Sequence, residues 1–192
     1  MLVENENKDD GPMTMTLPAS PKPESITAII DTREQRPLDL APLQVITETL
    51  TTGDYSVRGL ESVVAIERKG LSDLLSCIGT DRERFEREVK RLMAYPVRGL
   101  VIESTWAELG AGEWRSRIKP ASVIGSLLGW STIGLPVVMA TDHTTAGRYV
   151  AKMLYLSARR RWREARSLLG AIPSADGKSE NQATDSVITG GQ

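Results

Sequence analysis

The sequence predicts an α/β fold, a mixed central sheet flanked by helices in a single domain. Three observations lead there. Short apolar, β-branched runs come first, and segments of helical period then alternate with further apolar runs. Aromatics are only 5% of the chain, with a single Phe, so the layers must pack through aliphatic side chains. At 192 residues there is room for one domain with tails.

Residues 1–25 hold four prolines among Ser, Thr, Asn and acids and read as a disordered tail, as do residues 171–192. The folded body is then 26–170. Within it, ITAIID (26–31) and QVITETL (44–50) read as strands. GDYSV (53–57) and SVVAIERK (62–69) flank a glycine-bearing turn and read as a β-hairpin. Residues 71–78 suit a short helix. Thr80 and Glu83 have capping-box spacing, and Phe85, Val89, Leu92 and Met93 follow at helical intervals, which predicts a helix over 80–94 that stops before Pro96. VRGLVIE (97–103) is a strand. Pro120 suits the first turn of a helix reaching Ile133, and PVVMA (136–140) is a strand. A long helix over 144–169 carries Val150, Met153, Leu154, Ser157, Ala158, Trp162 and Ala165 on one stripe.

The formal net charge is −1, but the two tails carry −3 and −2, which leaves +4 on the body. One His and one Cys exclude an internal disulfide, a Cys/His zinc site and a nuclease or protease built on paired histidines. Hydrolytic chemistry in this chain must rest on carboxylates, Lys and a bound cation. No apolar run reaches a membrane span and the polar, acidic start is no secretory signal, so the expectation is a cytoplasmic, intracellular protein without membrane contact.

Asp31, Glu34, Asp54 and Glu67 lie at or just beyond predicted strand ends. On a strand, positions i and i+2 share a face, so Glu67 and Lys69 project together with Arg68 opposite. The hairpin can bring Asp54 beside Glu67. Clustered carboxylates repel one another, and a divalent cation removes that penalty. Mg²⁺ suits such oxygen-lined sites, and it activates water and neutralises charge on a phosphodiester. An adjacent Lys stabilises the developing charge. Taken singly, any of these acids is an ordinary surface or turn residue.

The strings IIDTREQRP (29–37), GDY (53–55) and ERKGLSDLL (67–75) resemble the XPF-type structure-specific endonucleases, whose nuclease domain carries a GD…ERKxxxD motif preceded by a D-x-RE segment. The match falls on Asp31, Arg33, Glu34, Gly53, Asp54, Glu67, Arg68, Lys69 and Asp73. GTDRERFEREVKRL (79–92) looks like the family's arginine-bearing helix. The resemblance implies a restriction-endonuclease-like fold and a metal-dependent endodeoxyribonuclease acting on branched, flapped or other non-B DNA in repair, recombination or replication. It implies products with 5′-phosphate and 3′-hydroxyl ends. Mg²⁺ or Mn²⁺ would be held by Asp54 and Glu67, with the Arg68 carbonyl, and by Asp31. Glu34 would complete the acidic shell and Lys69 would handle the nucleophilic water. Asp31, Glu34, Asp54, Glu67 and Lys69 are thus the catalytic candidates. The body has no room for the helix-hairpin-helix module of larger members, so the expectation is a compact stand-alone member of bacterial or phage type. Its partners would be DNA and either a second copy or a partner chain. The alternatives are a non-catalytic DNA-binding or scaffolding subunit, and a junction resolvase or restriction-type nuclease of the same fold.

Candidate DNA contacts are Arg33, Arg68, Arg84, Arg115, Arg117, Lys119, Arg160 and Arg163. Residues 148–166 hold seven bases against Glu164 alone. Trp114, amid Arg115, Arg117 and Lys119, is either a base-stacking platform or a loop anchor. Asp73 serves either the start of a helix or an ion pair with a motif Arg. Trp130 and Trp162 are expected in the core, Cys77 as a small buried residue, and His143 as a neighbour of a helix start with no part in the chemistry.

Overall fold

The computed structural model describes residues 19–171. Its strands are β1 (Thr27–Asp31), β2 (Gln44–Glu48), β3 (Tyr55–Val57), β4 (Val64–Gly70), β5 (Val97–Glu103) and β6 (Val137–Ala140). Its α-helices are α1 (Leu71–Ile78), α2 (Arg82–Met93), α3 (Trp106–Ala111), α4 (Pro120–Thr132) and α5 (His143–Ala171). The strands form one sheet in the order β2-β1-β3-β4-β5-β6. β3 runs antiparallel to both neighbours, and the other pairs are parallel. Two reversals around β3 leave β1 and β4 pointing the same way. The carboxyl ends of five strands therefore share one edge, where open α/β sheets leave a crevice for ligands. Asp31, Lys69 and Glu103 are at that edge, and Asp54 sits just before β3 begins. α5 starts there too and runs back along the sheet.

Each face of the sheet has its own apolar core. On one side Ile30, Val57, Val64, Ile66 and Val101 pack against Val150 and Leu154 of α5. On the other, Ala65, Leu100 and Ile102 meet Leu74, Phe85, Leu92, Leu127 and Trp130 from α1, α2 and α4. Burying each such side chain is worth about 1.5–3 kcal/mol. β4 lies between the two cores and is buried along nearly its whole length, which explains its near-continuous apolar start. Cys77 is buried as expected, and burial pushes its thiol up to about 11. Trp130 is in the core, whereas Trp162 is only half-buried.

Three expectations change. The helix expected from residue 80 begins at Arg82, and no side chain caps it. The Asp81 amide still donates to the Ser76 carbonyl at 2.9 Å, so the chain is closing the turn out of α1 where the capping box was expected. A capping box does form at Thr105 and Glu108, which start α3, a helix the sequence reading left out. The body also starts earlier than residue 26. Pro23–Ser25 form a 3₁₀ turn, and the Gln44 side chain donates to the Glu24 carbonyl at 3.1 Å. Of the tails expected over 1–25 and 171–192, residues 1–18 and 172–192 lie outside the described residues.

Candidate active site

The two-residue period of β4 sorts its last side chains. Ala65 enters the α1/α2 core and Ile66 the α5 core, so Glu67 and Lys69 go with Ala65 and Arg68 goes with Ile66. Lys69 is ion-paired with Glu67 Oε1, and its Nζ stands 5.4 Å from the centre of the Phe85 ring. Glu67 is 1% exposed, and its Oε2 is buried without a hydrogen-bond partner.

The hairpin delivers Asp54 to this pair. The Asp54 amide donates to the Ile66 carbonyl at 2.9 Å, and its own carbonyl accepts from the Asp31 amide at 2.8 Å. Asp54 Oδ2 accepts the backbone amide of Arg68 at 2.8 Å. Gly53 makes the approach possible. It has φ +79°, and a Cβ there would lie 3.0 Å from the Ile66 carbonyl oxygen. The Gly-Asp pair of the motif thus has a physical reason: glycine lets the backbone come close, and aspartate is then set beside Glu67.

Asp31 does not join them. Its Oδ1 accepts from the backbone amide and Nε of Arg33, at 2.9 and 2.6 Å. Its Oδ2 accepts from the Leu50 amide at 2.6 Å and from Arg33 Nη2 at 3.1 Å. Four donors occupy both oxygens, so Asp31 fastens the segment after β2 rather than offering a free ligand. Among the described residues, no group of three or more His, Cys, Asp or Glu is placed to hold a metal ion.

Glu34 and Arg68 also differ from expectation. Arg68 is 7% exposed, so it is not an open DNA contact. Its Nη2 donates to Glu34 Oε1 at 2.8 Å and its Nη1 to Glu103 Oε1 at 2.9 Å. Glu34 is held by this pair instead of completing an acidic shell around Glu67. His143, the first residue of α5, donates from Nδ1 to the same Glu103 oxygen at 2.8 Å. Glu103 and this use of His143 were missed. No local motif marks Glu103, and only the parallel pairing of β4 with β5 brings it beside Arg68.

Electrostatics single out Asp54 and Glu67. Burial pushes the Asp54 carboxyl well above the ordinary aspartate value. Lys69 and the Arg68 amide oppose this, while Glu34 and Glu88 add to it. Burial also raises Glu67, with Asp54 and Glu88 pushing the same way against Lys69. Lys69 is raised as well: burial lowers it, but the charges of Glu67, Asp54 and Glu88 prevail and keep it protonated. Asp31 moves the other way. Burial raises it, and the bonds from Arg33 and Leu50 outweigh that and hold it below the usual range. Glu88 of α2 thus contributes to the field at the site.

A polar cleft of about 430 Å³ opens here, lined by Arg33, Arg36, Asp54, Lys69 and Asp73 among others. Arg33 has a 66% exposed side chain despite its bond to Asp31, and Asp73 lies in the first turn of α1. Arg84 is exposed on α2 and paired with Asp81 at 3.2 Å. Arg115, Arg117 and Lys119 are exposed ahead of α4. Between them the Trp114 indole donates to the Ile118 carbonyl at 2.8 Å and packs on the core, so Trp114 is a loop anchor. Arg160 and Arg163 are exposed on the far half of α5, with Arg160 paired to Glu164. That half borders Ile26 and Val57, at the edge opposite the cleft.

The donor chemistry fits a divalent cation. A buried carboxyl oxygen with no partner, beside a second carboxyl raised by burial, means that the charged forms of both are penalised even with Lys69 present, a penalty a bound cation would remove. Mg²⁺ commonly uses one or two carboxylates and completes its shell with water and phosphate oxygens, so Asp54 and Glu67 suffice without Asp31.

The carboxyl edge of this α/β sheet thus carries an acidic pair, a lysine and a polar cleft. The ERCC4 domain model matches residues 30–153. The chain belongs to this family, that of the XPF-type nucleases. XPF from Aeropyrum pernix has a similar structure, with TM-score 0.56 and 22% identity over 68% of this chain and 61% of that one. XPF from Aeropyrum pernix in complex with DNA gives TM-score 0.54 and 20% identity over 70% of this chain and 66% of that one. The chain thus spans less than two thirds of either solved chain, and at these identities the likeness is one of fold. No curated protein matches. No helix among the described residues is long and apolar enough to cross a membrane.

Proposed function

We propose that this chain is a divalent-metal-dependent DNA endonuclease in which Asp54 and Glu67 hold Mg²⁺ or Mn²⁺. The observation that carries the proposal is the buried, unpartnered Glu67 Oε2 beside the raised carboxyl of Asp54, which lines a polar cleft together with Lys69, Arg33 and Arg36. A divalent cation bound there supplies Lewis-acid polarisation of a phosphate oxygen. The chain's own groups do the rest. The Arg68 amide orients the Asp54 carboxylate. Lys69 stays charged and sits where negative charge develops on the scissile phosphate, so it stabilises the transition state more than the ground state. Arg33 and Arg36 line the cleft and can grip backbone phosphates, which positions DNA without reading its sequence. Branched or flapped DNA as substrate, work as a homodimer or with a partner chain, and an intracellular setting complete the proposal by way of the family.

The test is cleavage by the purified full chain on single-stranded, duplex, flap, fork and four-way DNA, with Mg²⁺, Mn²⁺ or EDTA. The proposal expects metal-dependent nicking that favours flapped or forked substrates. Absence of nicking on every substrate with either metal would leave a DNA-binding subunit in its place.

A further inference from the structure

The buried pair Arg68–Glu34 is the hub of a network that no motif describes. Residues 32–38 cross the carboxyl edge of the sheet and carry Arg33 and Arg36, which form one wall of the cleft. This segment has no strand or helix to stiffen it. Two side chains from elsewhere fasten it by hydrogen bonds, and a third stands beside it. Arg68 bonds both oxygens of Glu34, at 2.8 Å from Nη2 and 3.3 Å from Nε. The Tyr55 hydroxyl accepts the Leu38 amide at 3.1 Å. His143 Nε2 stands 3.3 Å from the Pro37 carbonyl. Glu34 Oε1 in turn accepts the Arg36 amide at 2.7 Å, so the aim of Arg36 depends on where Glu34 is held.

Arg68 is itself held from behind. Glu103 is 10% exposed at its side chain, and its Oε1 accepts from both Arg68 Nη1 and His143 Nδ1. Gly147, one turn along α5, lets the helix press on the residue that follows this segment: a Cβ there would meet the Asp39 carbonyl oxygen at 2.4 Å. The Arg68 backbone also orients Asp54. One residue thus connects the acidic pair on one face of β4 with the arginine-bearing wall reached from the other face.

We propose that Glu103 and His143 are positioning residues, which lock Arg68 against Glu34 and so fix residues 32–38 and the cleft wall. The proposal rests on the nuclease reading for its kinetic consequences and on the hydrogen-bond network alone for its structural ones. Glu103 and His143 touch neither DNA nor metal in it. They act by removing alternative rotamers of Arg68, since a charged group bonded on every side of its fork has one arrangement.

The test uses the full chain with His143→Ala, His143→Asn and Glu103→Gln. Asn can place an amide N–H near the position of Nδ1–H and keep the bond to Glu103. Hydrogen exchange should show faster exchange at the Arg36 and Leu38 amides in His143→Ala, near wild-type exchange in His143→Asn, and unchanged protection in β4 and β5. In cleavage assays His143→Ala should lower kcat by about 10- to 100-fold, the usual loss when an outer partner of a site is removed. KM should stay within about threefold, and His143→Asn should recover most of the rate. Glu103→Gln keeps an acceptor for Arg68 but weakens the ion pair, so its loss of rate should be intermediate. The proposal is overturned if exchange at residues 34–38 is the same in His143→Ala and wild type, if His143→Asn is no better than His143→Ala, or if KM rises as much as kcat falls. The exchange experiment reads out whether or not the wild type cleaves DNA, so an inactive wild type counts against the nuclease reading alone.

Discussion

The Asp54 carboxylate accepts the backbone amide of Arg68 at 2.8 Å. An aspartate that precedes β3 is thereby fixed beside the side chains of β4, whose alternation puts Glu67 and Lys69 on its side of the sheet. The acidic pair is built by this one bond together with the close approach of Gly53 to Ile66. Replacing Gly53 with Ala should shift Asp54 and reduce activity even though no reacting group is removed. The strain of φ +79° and the contact with the Ile66 carbonyl would also destabilise the fold, by about 1–3 kcal/mol. Urea unfolding alongside cleavage measures both.

Neutralising Asp54 should stabilise the metal-free protein in alkaline rather than acidic solution. The folded-state value of Asp54 is raised above its ordinary 3.8, first by burial. In the unfolded chain it ionises in the ordinary range. Below that range the carboxyl is protonated in both states and costs nothing. As pH rises from the unfolded value towards the folded one, the folded state keeps a proton that the unfolded chain has released, so stability falls and then levels off above the folded value. Asp54→Asn removes this cost. Its melting temperature should exceed that of the wild type in EDTA at about pH 8, with the gap closing towards about pH 4. Mg²⁺ should raise the melting temperature of the wild type and leave that of Asp54→Asn unchanged.

Lys69→Ala should lower turnover far more than DNA affinity. Loss of one preorganised charge at the reacting phosphate costs about 2.7–4 kcal/mol of transition-state stabilisation by analogy with other lost donors. The substitution also strips the buried Glu67 of its partner, so thermal melts must set the assay temperature. Equal losses in kcat and in affinity would make Lys69 an ordinary phosphate contact.

Asp31 separates motif membership from ligation. Asp31→Ala leaves the Leu50 amide without its acceptor and Arg33 without its ion pair, and should destabilise the fold by about 1–3 kcal/mol. Calorimetric Mn²⁺ affinity, measured where the variant is folded, should match that of the wild type. A large loss of Mn²⁺ binding would restore Asp31 to the metal site.

The arginines on the far half of α5 supply a test of remote DNA contact. Arg163→Ala with Arg166→Ala should leave kcat unchanged, since both lie beyond the edge opposite the cleft. If both touch phosphates of duplex DNA, the log–log salt dependence of binding should flatten by about 0.9 per contact. An unchanged slope would make them a solvated helix end.

The sheet, its long last helix and the hairpin were legible because apolar runs and periodicity mark them directly. The shared face of Glu67 and Lys69 followed from the two-residue period of a strand, and the place of Asp54 from the hairpin turn. What sequence could not supply was the state of each polar group once buried. Asp31 and Glu34 have the same motif standing as Asp54, yet their oxygens are claimed by Arg33, Leu50 and Arg68. Arg68 looked like a phosphate ligand, and two carboxylates consume it. Glu103 and His143 are far apart in sequence and meet only because β5 pairs with β4 and α5 returns to the same edge. The two Thr-x-x-Glu patterns show the limit of local signals: the one at Thr105 forms a cap, and the one at Thr80 is overruled by the turn leaving α1.

Single-turnover cleavage of a flap substrate across a Mn²⁺ titration, for the wild type, Asp54→Asn and Glu67→Gln, bears most directly on the acidic pair as the seat of the chemistry. Saturable Mn²⁺ dependence is expected in the wild type, with no product in EDTA. Both variants should bind the flap within about threefold of the wild type and cleave it at least about 100-fold more slowly. A wild-type rate that persists in EDTA, or either variant cleaving as fast as the wild type at saturating Mn²⁺, would contradict that assignment.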